Sequence, residues 1–363
     1  SFPTRRSSDL KAFEAPMQPL IEYPGALGKL INPQLTRDAL VAFLAPEKRG
    51  KSFILLDLAR RAVYQRLNVA FFQAGDMSKN QQIRRLGIHL ARRSDREEYT
   101  GEQWQSVKDC KLNQTDRCEK EVRECFFGLE GEEAPDNPKQ ARHEMTFPQL
   151  VKLHQENPEY RACYNCKEYR DPNKQLGATW LKKINTGPPL EKEEAQQIFE
   201  EYFVENKRQF MLSTHPNNTL SIPKIRTHLD KWYRQGFVPD VIIIDYADLL
   251  TASARDFRHR QDEIWKGLRS LSEERHCLVT TATQADAKSY EQNTLKLKNF
   301  SEDKRKYAHV TAMYGLNQDS AGQEKEIGVM RINELVIREG ESSRMVRILQ
   351  NLSRGQPVLT SYW

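Results

Sequence analysis

Ala45-Pro46-Glu47-Lys48-Arg49-Gly50-Lys51-Ser52 follows the apolar run Leu40-Val41-Ala42-Phe43-Leu44 and precedes a stretch in which Ile54, Leu55, Leu58, Ala59, Ala62 and Val63 recur at three- and four-residue spacing. The run reads as a buried strand and the stretch as an amphipathic helix over 51–67, so the octet is the loop of a strand–loop–helix unit. A tight loop leading into a helix N-terminus surrounds phosphate oxygens with backbone N–H groups, a lysine adds a point charge, and a hydroxyl ligates magnesium. The octet, Ala45, Pro46, Glu47, Lys48, Arg49, Gly50, Lys51 and Ser52, is therefore a candidate phosphate loop for ATP, with Lys51 on the phosphates and Ser52 on Mg²⁺. Its first residue is Ala45 where the pattern usually has Gly, and a basic turn ahead of a helix is the plainer alternative.

Working outward, Val69-Ala70-Phe71-Phe72 predicts a second strand and 81–93 a basic helix. Composition changes over 95–184 to Cys, Glu, Lys, Asn and aromatic residues with few periodic apolar segments, which reads as an insertion rather than further sheet. Helices over 190–205, 222–232 and 261–274 then alternate with strands over 209–213, 241–245 and 277–283. Strands near 310–316, 329–337 and 345–349 complete the chain. This order predicts an α/β fold, a mainly parallel twisted sheet flanked by helices and finished by antiparallel strands. The expected division is a tail over 1–10 that looks like translated sequencing adapter, a linker over 11–37, a core in two parts over 38–94 and 186–363, and a Cys-containing insertion over 95–185.

Composition excludes less than pattern does. No run of eighteen apolar residues occurs, which argues against a membrane protein, and no secretory signal is visible, so a cytoplasmic setting is expected. Lys and Arg exceed Asp and Glu by 56 to 50, an excess that permits a local basic track but does not by itself indicate nucleic acid.

Asp245 ends the strongest apolar strand, Val241-Ile242-Ile243-Ile244-Asp245, where a carboxylate can hold magnesium opposite Ser52. Asp76, after the second strand, can accept a proton from the water that attacks the γ-phosphate, or can cap the helix beside Ser78. Gln284 ends the strand Leu278-Val279-Thr280-Thr281-Ala282-Thr283-Gln284, as a γ-phosphate sensor or a polar strand terminus. Arg338 follows a late strand, either as an arginine finger for a neighbouring subunit or as a surface residue paired with Glu339 or Glu341. Downstream of Gln284, Lys296, Lys298, Lys304, Arg305 and Lys306 with Tyr290 and Phe300 form a loop suited to phosphates and bases of single-stranded DNA, or simply a solvated charged face.

Five of six cysteines fall between Cys110 and Cys166, and in a reducing compartment such clustering points to metal before disulfides. Cys110, Cys118, Cys163 and Cys166 are the first-choice Zn²⁺ ligands, with Cys125 an alternative to Cys118 and scattered free thiols the competing reading.

The sequence from the octet through Phe71 to Met77, Thr219 to Trp232, Pro239 to Tyr246, Thr283-Gln284 and Val336 to Gly340 is similar to the motor domain of DnaB-type replicative helicases, particularly phage-type versions. The resemblance covers most of the chain outside the insertion, and the Ile-Asp-Tyr ending of the 241–246 segment is its most specific piece. It implies a RecA-like P-loop core, a ring-shaped homo-hexamer with ATP held between subunits, loops that move single-stranded DNA, and a primase or loader as partner. Ala45, Asp76 in place of Glu, and Val336 in place of a Lys depart from the family pattern and bring reduced or altered hydrolysis into view. Two further readings share the core: a RecA/RadA-type recombination or repair ATPase, and a nucleotide-binding scaffold or helicase loader.

Overall fold

The computed structural model of the chain describes residues 18–75, 77–114, 146–163, 177–254, 256–286, 292, 294–296, 308–338, 340 and 342–363. Nine strands build the main sheet: β1 (Leu40–Ala45), β2 (Val69–Ala74), β5 (Phe210–His215), β6 (Val241–Asp245), β7 (Leu278–Gln284), β8 (Ala312–Asn317), β9 (Val329–Ile337), β10 (Met345–Asn351) and β11 (Gln356–Tyr362). Their order across it is β11-β10-β9-β8-β1-β7-β6-β2-β5. The six from β8 to β5 are parallel, and β9, β10 and β11 join antiparallel.

The apolar runs are continuous because both sheet faces are covered. In β1, Val41, Phe43 and Ala45 enter one hydrophobic cluster while Leu40, Ala42 and Leu44 enter the other. In β6, Val241 and Ile243 go one way, Ile242 and Ile244 the other. Successive side chains point to opposite faces, so one strand supplies two cores. Helices α2 (Lys51–Tyr64) and α3 (Lys79–Ala91) lie on the first side. Helices α6 (Ile222–Tyr233) and α7 (Phe257–Glu274) lie on the second, where Trp265 and Leu268 are fully buried.

The lead-in packs rather than merely connects. Helix α1 (Gly25–Ile31) buries Leu27 and Leu30 in the first cluster, and the Leu27 amide donates to Ser361 Oγ at 2.9 Å. Helix α2 stops three residues before the expected end: Arg66 turns to φ 68° and the Leu67 amide reaches back to the Ala62 carbonyl. Strand β11 lacks a sequence signal because it is an edge strand, where Pro357 is tolerated and polar residues alternate loosely.

Contrary to expectation, the inserted region contains strands. Glu102–Cys110 (β3) and Gly177–Asn185 (β4) form a separate antiparallel pair, and α4 (Phe147–Glu156) covers it through the buried Leu150. Helix α5 (Lys192–Phe199), continued by a π-helical stretch, leads back to β5. The pair docks on the antiparallel half of the main sheet: Trp180 and Leu181 share a cluster with Ile327, Val329, Leu349 and Tyr362. Thr179 Oγ1 and Tyr362 OH are 2.7 Å apart, and a Cβ on Gly177 would come within 2.2 Å of the Tyr362 ring. A docked polar hairpin is invisible to periodicity, since its burial comes from a surface elsewhere in the chain.

Candidate nucleotide site

The octet leaves the C-terminal end of β1 and runs into the first turn of α2. Gly50 is the residue before the helix and adopts φ 80°, a left-handed conformation that favours glycine. No side chain caps this helix, so its first N–H groups and its dipole face the loop, where an anion is stabilised. The Lys51 side chain folds back over the loop and donates to the Ala45 and Pro46 carbonyls, each at 3.0 Å. Burial lowers its pKa, opposed by the charges of Asp248, Asp245 and Glu47.

Ser52 Oγ donates to Asp245 Oδ1 at 3.0 Å. Asp245 is fully buried at the end of β6, and burial pushes its carboxyl up to about 6 against the Ser52 hydrogen bond and the charges of Arg85 and Lys51. Among the described residues its Oδ2 has no hydrogen-bond partner. A buried carboxylate oxygen left over beside a hydroxyl fits a hard dication with oxygen ligands, so Ser52 and Asp245 are the residues that would hold Mg²⁺.

Sheet register brings the sensor candidate to the loop. Ala45 lies opposite Gln284 in the neighbouring parallel strand, and Gln284 Nε2 donates to Glu47 Oε1 at 3.0 Å. Gly75 ends the β2 segment at φ 126°, and a Cβ there would come within 2.3 Å of Leu249 Cδ1. Asp76 is the next residue and lies outside the described residues.

Arg338 is not in this site. It follows β9, its amide donates to the Thr311 carbonyl, and Ile337 pairs with Ala312, which itself pairs with Val41 near the start of β1. The residue is exposed at the opposite end of the parallel strands from its own phosphate loop. Lys296 is exposed next to Leu295, whose amide donates to Asn317 Oδ1 at 2.6 Å; Lys298, Lys304, Arg305 and Lys306 lie outside the described residues.

Two zinc-ligand candidates come together. The amides of Cys110 and Cys163 donate to the same oxygen, Asp109 Oδ1, at 2.7 and 2.9 Å. Burial pushes the Cys110 thiol up to about 11, although its sulfur accepts backbone N–H groups of Asn113 and Leu112. Cys118 and Cys166 lie outside the described residues, and within the described ones no group of three metal-capable side chains forms.

Three participants escape the sequence reading. Glu47 counts there only as loop backbone, yet its side chain meets Gln284. The Arg85 guanidinium stacks 4.6 Å from the Phe53 ring centre, next to Ser52, and its charge acts on Asp245. Asp248 accepts from Thr283 and Gln284. A carboxylate three residues past Asp245 is the available signal for the last; the others have none, since α3 and the loop meet only in three dimensions.

A doubly covered parallel sheet with a phosphate loop after its central strand and a magnesium-side aspartate on another strand is a RecA-like P-loop ATPase fold. No protein-family profile and no curated protein matches the sequence. Among solved structures, the chain resembles an isolated ATPase domain of a DnaB-like replicative helicase at TM-score 0.59 and 12% identity, over 97% of this chain and 95% of that one. It equally resembles a DnaB-like replicative helicase described with its interactions with primase, at TM-score 0.59 and 12% identity, over 98% of this chain and 67% of that one. The fold is thus that of DnaB-type helicase motor domains. Among the described residues no helix is long and apolar enough to cross a membrane.

Proposed function

We propose that the chain is an ATP-dependent DNA helicase motor that translocates on single-stranded DNA during replication in the cytoplasm, with ATP hydrolysed between subunits of a homo-hexameric ring. The observation that carries the reading is the Ser52–Asp245 pair, 3.0 Å apart beside the phosphate loop, with Gln284 in register next to Ala45. Lys51 and the α2 N-terminus hold phosphates, Ser52 and Asp245 hold Mg²⁺, and Asp76 accepts the proton of the attacking water. When bound, Mg²⁺ neutralises developing phosphate charge.

The position of Arg338 supports the shared site. An arginine at the far end of the sheet from its own loop can serve as a finger only in a neighbour, which a ring provides. Lys296, Lys298, Lys304, Arg305 and Lys306 follow Gln284 and carry the DNA contact, and a primase or loader is the partner class. The decisive assay is ATP turnover with and without single-stranded DNA: stimulation that Lys51→Ala abolishes is expected. Turnover indifferent to DNA would reject the motor in favour of a nucleotide-binding scaffold or loader. Filaments rather than rings in electron micrographs would favour the recombination ATPase.

In the insertion, Cys110 and Cys163, joined by Cys118 and Cys166, hold one structural Zn²⁺ in this proposal. Two thiols fastened to one carboxylate are half a tetrahedral set, and the Cys163-Tyr164-Asn165-Cys166 spacing supplies the next ligand. Elemental analysis of the purified protein is expected to find about one zinc per chain, reduced by Cys110→Ser and by Cys163→Ser. A metal-free protein would end the zinc reading and leave the motor untouched.

A further inference from the structure

The short turn Ala247–Leu249 directly after β6 is a crossbar over both neighbouring strand ends. In the sheet β6 lies between β7 and β2. One side chain of the turn, Leu249, packs where Gly75 ends the β2 segment, so closely that a Cβ on Gly75 would be excluded. The side chain before it, Asp248, reaches the other way. Its Oδ2 accepts the Gln284 amide at 2.6 Å, and both carboxylate oxygens lie 2.9 Å from Thr283 Oγ1.

This grip falls where β7 ends. Gln284 is the last residue of the strand, its side chain meets Glu47 of the phosphate loop, and the basic segment begins one residue later. A strand terminus normally frays, because its last amide lacks a ladder partner. A charge-assisted bond to that amide fixes the direction in which the Gln284 side chain leaves the backbone.

Resting on the motor reading above, we infer that Asp248 is a positioning residue which holds the Gln284 backbone so that its amide side chain faces the phosphate loop. In the structure that side chain bonds Glu47. A γ-phosphate arriving at Lys51 competes for the same Nε2–H donor, and the exchange of partners by Gln284 is what the following segment senses. Asp248 stays fixed through this exchange, so the side chain turns about a held backbone. Without the grip, phosphate state and basic segment become uncoupled while nucleotide still binds.

The test compares Asp248→Ala, Thr283→Val and Gln284→Ala in the full chain. Asp248→Ala is expected to lower DNA-stimulated kcat about tenfold while KM for ATP stays within about threefold, as for a group that acts through geometry in the transition state. Thr283→Val, which removes one hydroxyl and keeps the carboxylate, is expected to shift kcat in the same direction by less. The double variant Asp248→Ala/Gln284→Ala should be no slower than Gln284→Ala alone, because both changes break one device. Multiplying effects, or an unchanged kcat in folded Asp248→Ala, overturns the inference. Amide exchange over 283–286 in nucleotide-free protein separates this failure from that of the motor reading. Asp248→Ala must accelerate it even if the wild type proves to hydrolyse no ATP, and unchanged protection would refute the positioning role on its own.

Discussion

Two buried aspartates separate the ATPase core from the inserted hairpin. Asp57, on α2, is paired with Arg60 at 3.2 Å and Arg61 at 2.9 Å, with His89 at 3.4 Å. Burial pushes its carboxyl up, but the His89 hydrogen bond and the charges of Arg61, His89 and Arg60 outweigh this and hold it well below the usual carboxylate range. Asp109, in the insertion, is equally buried and receives amides from Cys110 and Cys163, Tyr160 OH, and the side chains of Asn113 and Gln114. With burial as the leading influence and only neutral donors to offset it, its pKa rises. The core thus locks a charge between helices, whereas the insertion organises a polar hub in place of a large apolar centre. The first arrangement suits a frame that must stay put under ATP turnover; the second suits a small module whose order depends on docking and metal.

Packing separates the two regions most forcefully. Ile243 is fully buried in the central strand β6, and Ile243→Ala is expected to lower the unfolding free energy of the core by about 4 kcal/mol. Leu150→Ala in α4 should instead loosen the hairpin alone, moving the main transition by less than about 1 kcal/mol. Hydrogen exchange followed separately on β6 and β3 distinguishes the two, and a Leu150→Ala effect spread over β6 would dissolve the distinction.

Next in size is charge. A group whose folded pKa is depressed contributes stability present above its unfolded value, 3.8 for Asp57, and lost as pH falls through the folded pKa. Acid unfolding of the core below about pH 4 should therefore flatten in Asp57→Asn, which should also cost about 3 kcal/mol at neutral pH by stranding the arginines. An unchanged acid limb would mean that Asp57 is not what the core loses to acid.

The smallest expected effect comes from removing the insertion altogether. Its ends already touch: the Gly101 amide donates to the Gly187 carbonyl at 3.0 Å, and the Thr186 amide to the Gly101 carbonyl at 2.9 Å. Deleting 102–185 and joining the flanks should leave basal ATP turnover per chain within about threefold, because none of the described side chains of the phosphate site comes from that segment. A loss of about tenfold would make the insertion part of the motor rather than an addition to it.

The phosphate loop, Asp245 and Gln284 are readable as motifs because each is a local pattern: an apolar run, then a chemically apt residue at its end. The strand alternation is readable for the same reason, since burial on a helix or strand leaves a period in the chain. The hairpin of β3 and β4 leaves no such period, because the surface that buries Trp180 and Leu181 belongs to β9, β10 and β11. Asp76 and most of the basic segment stay sequence-level proposals, lying outside the described residues.

What the residues alone determined is the class of the fold and the identity of the groups proposed to meet phosphate and magnesium. What tertiary structure decided is who meets whom: Ala45 beside Gln284, Glu47 against that glutamine, Asp248 across a strand end, and Arg338 at the far end of its own sheet. The reason is that periodicity records only whether a residue is buried, whereas strand order and register depend on pairings between segments far apart in the chain.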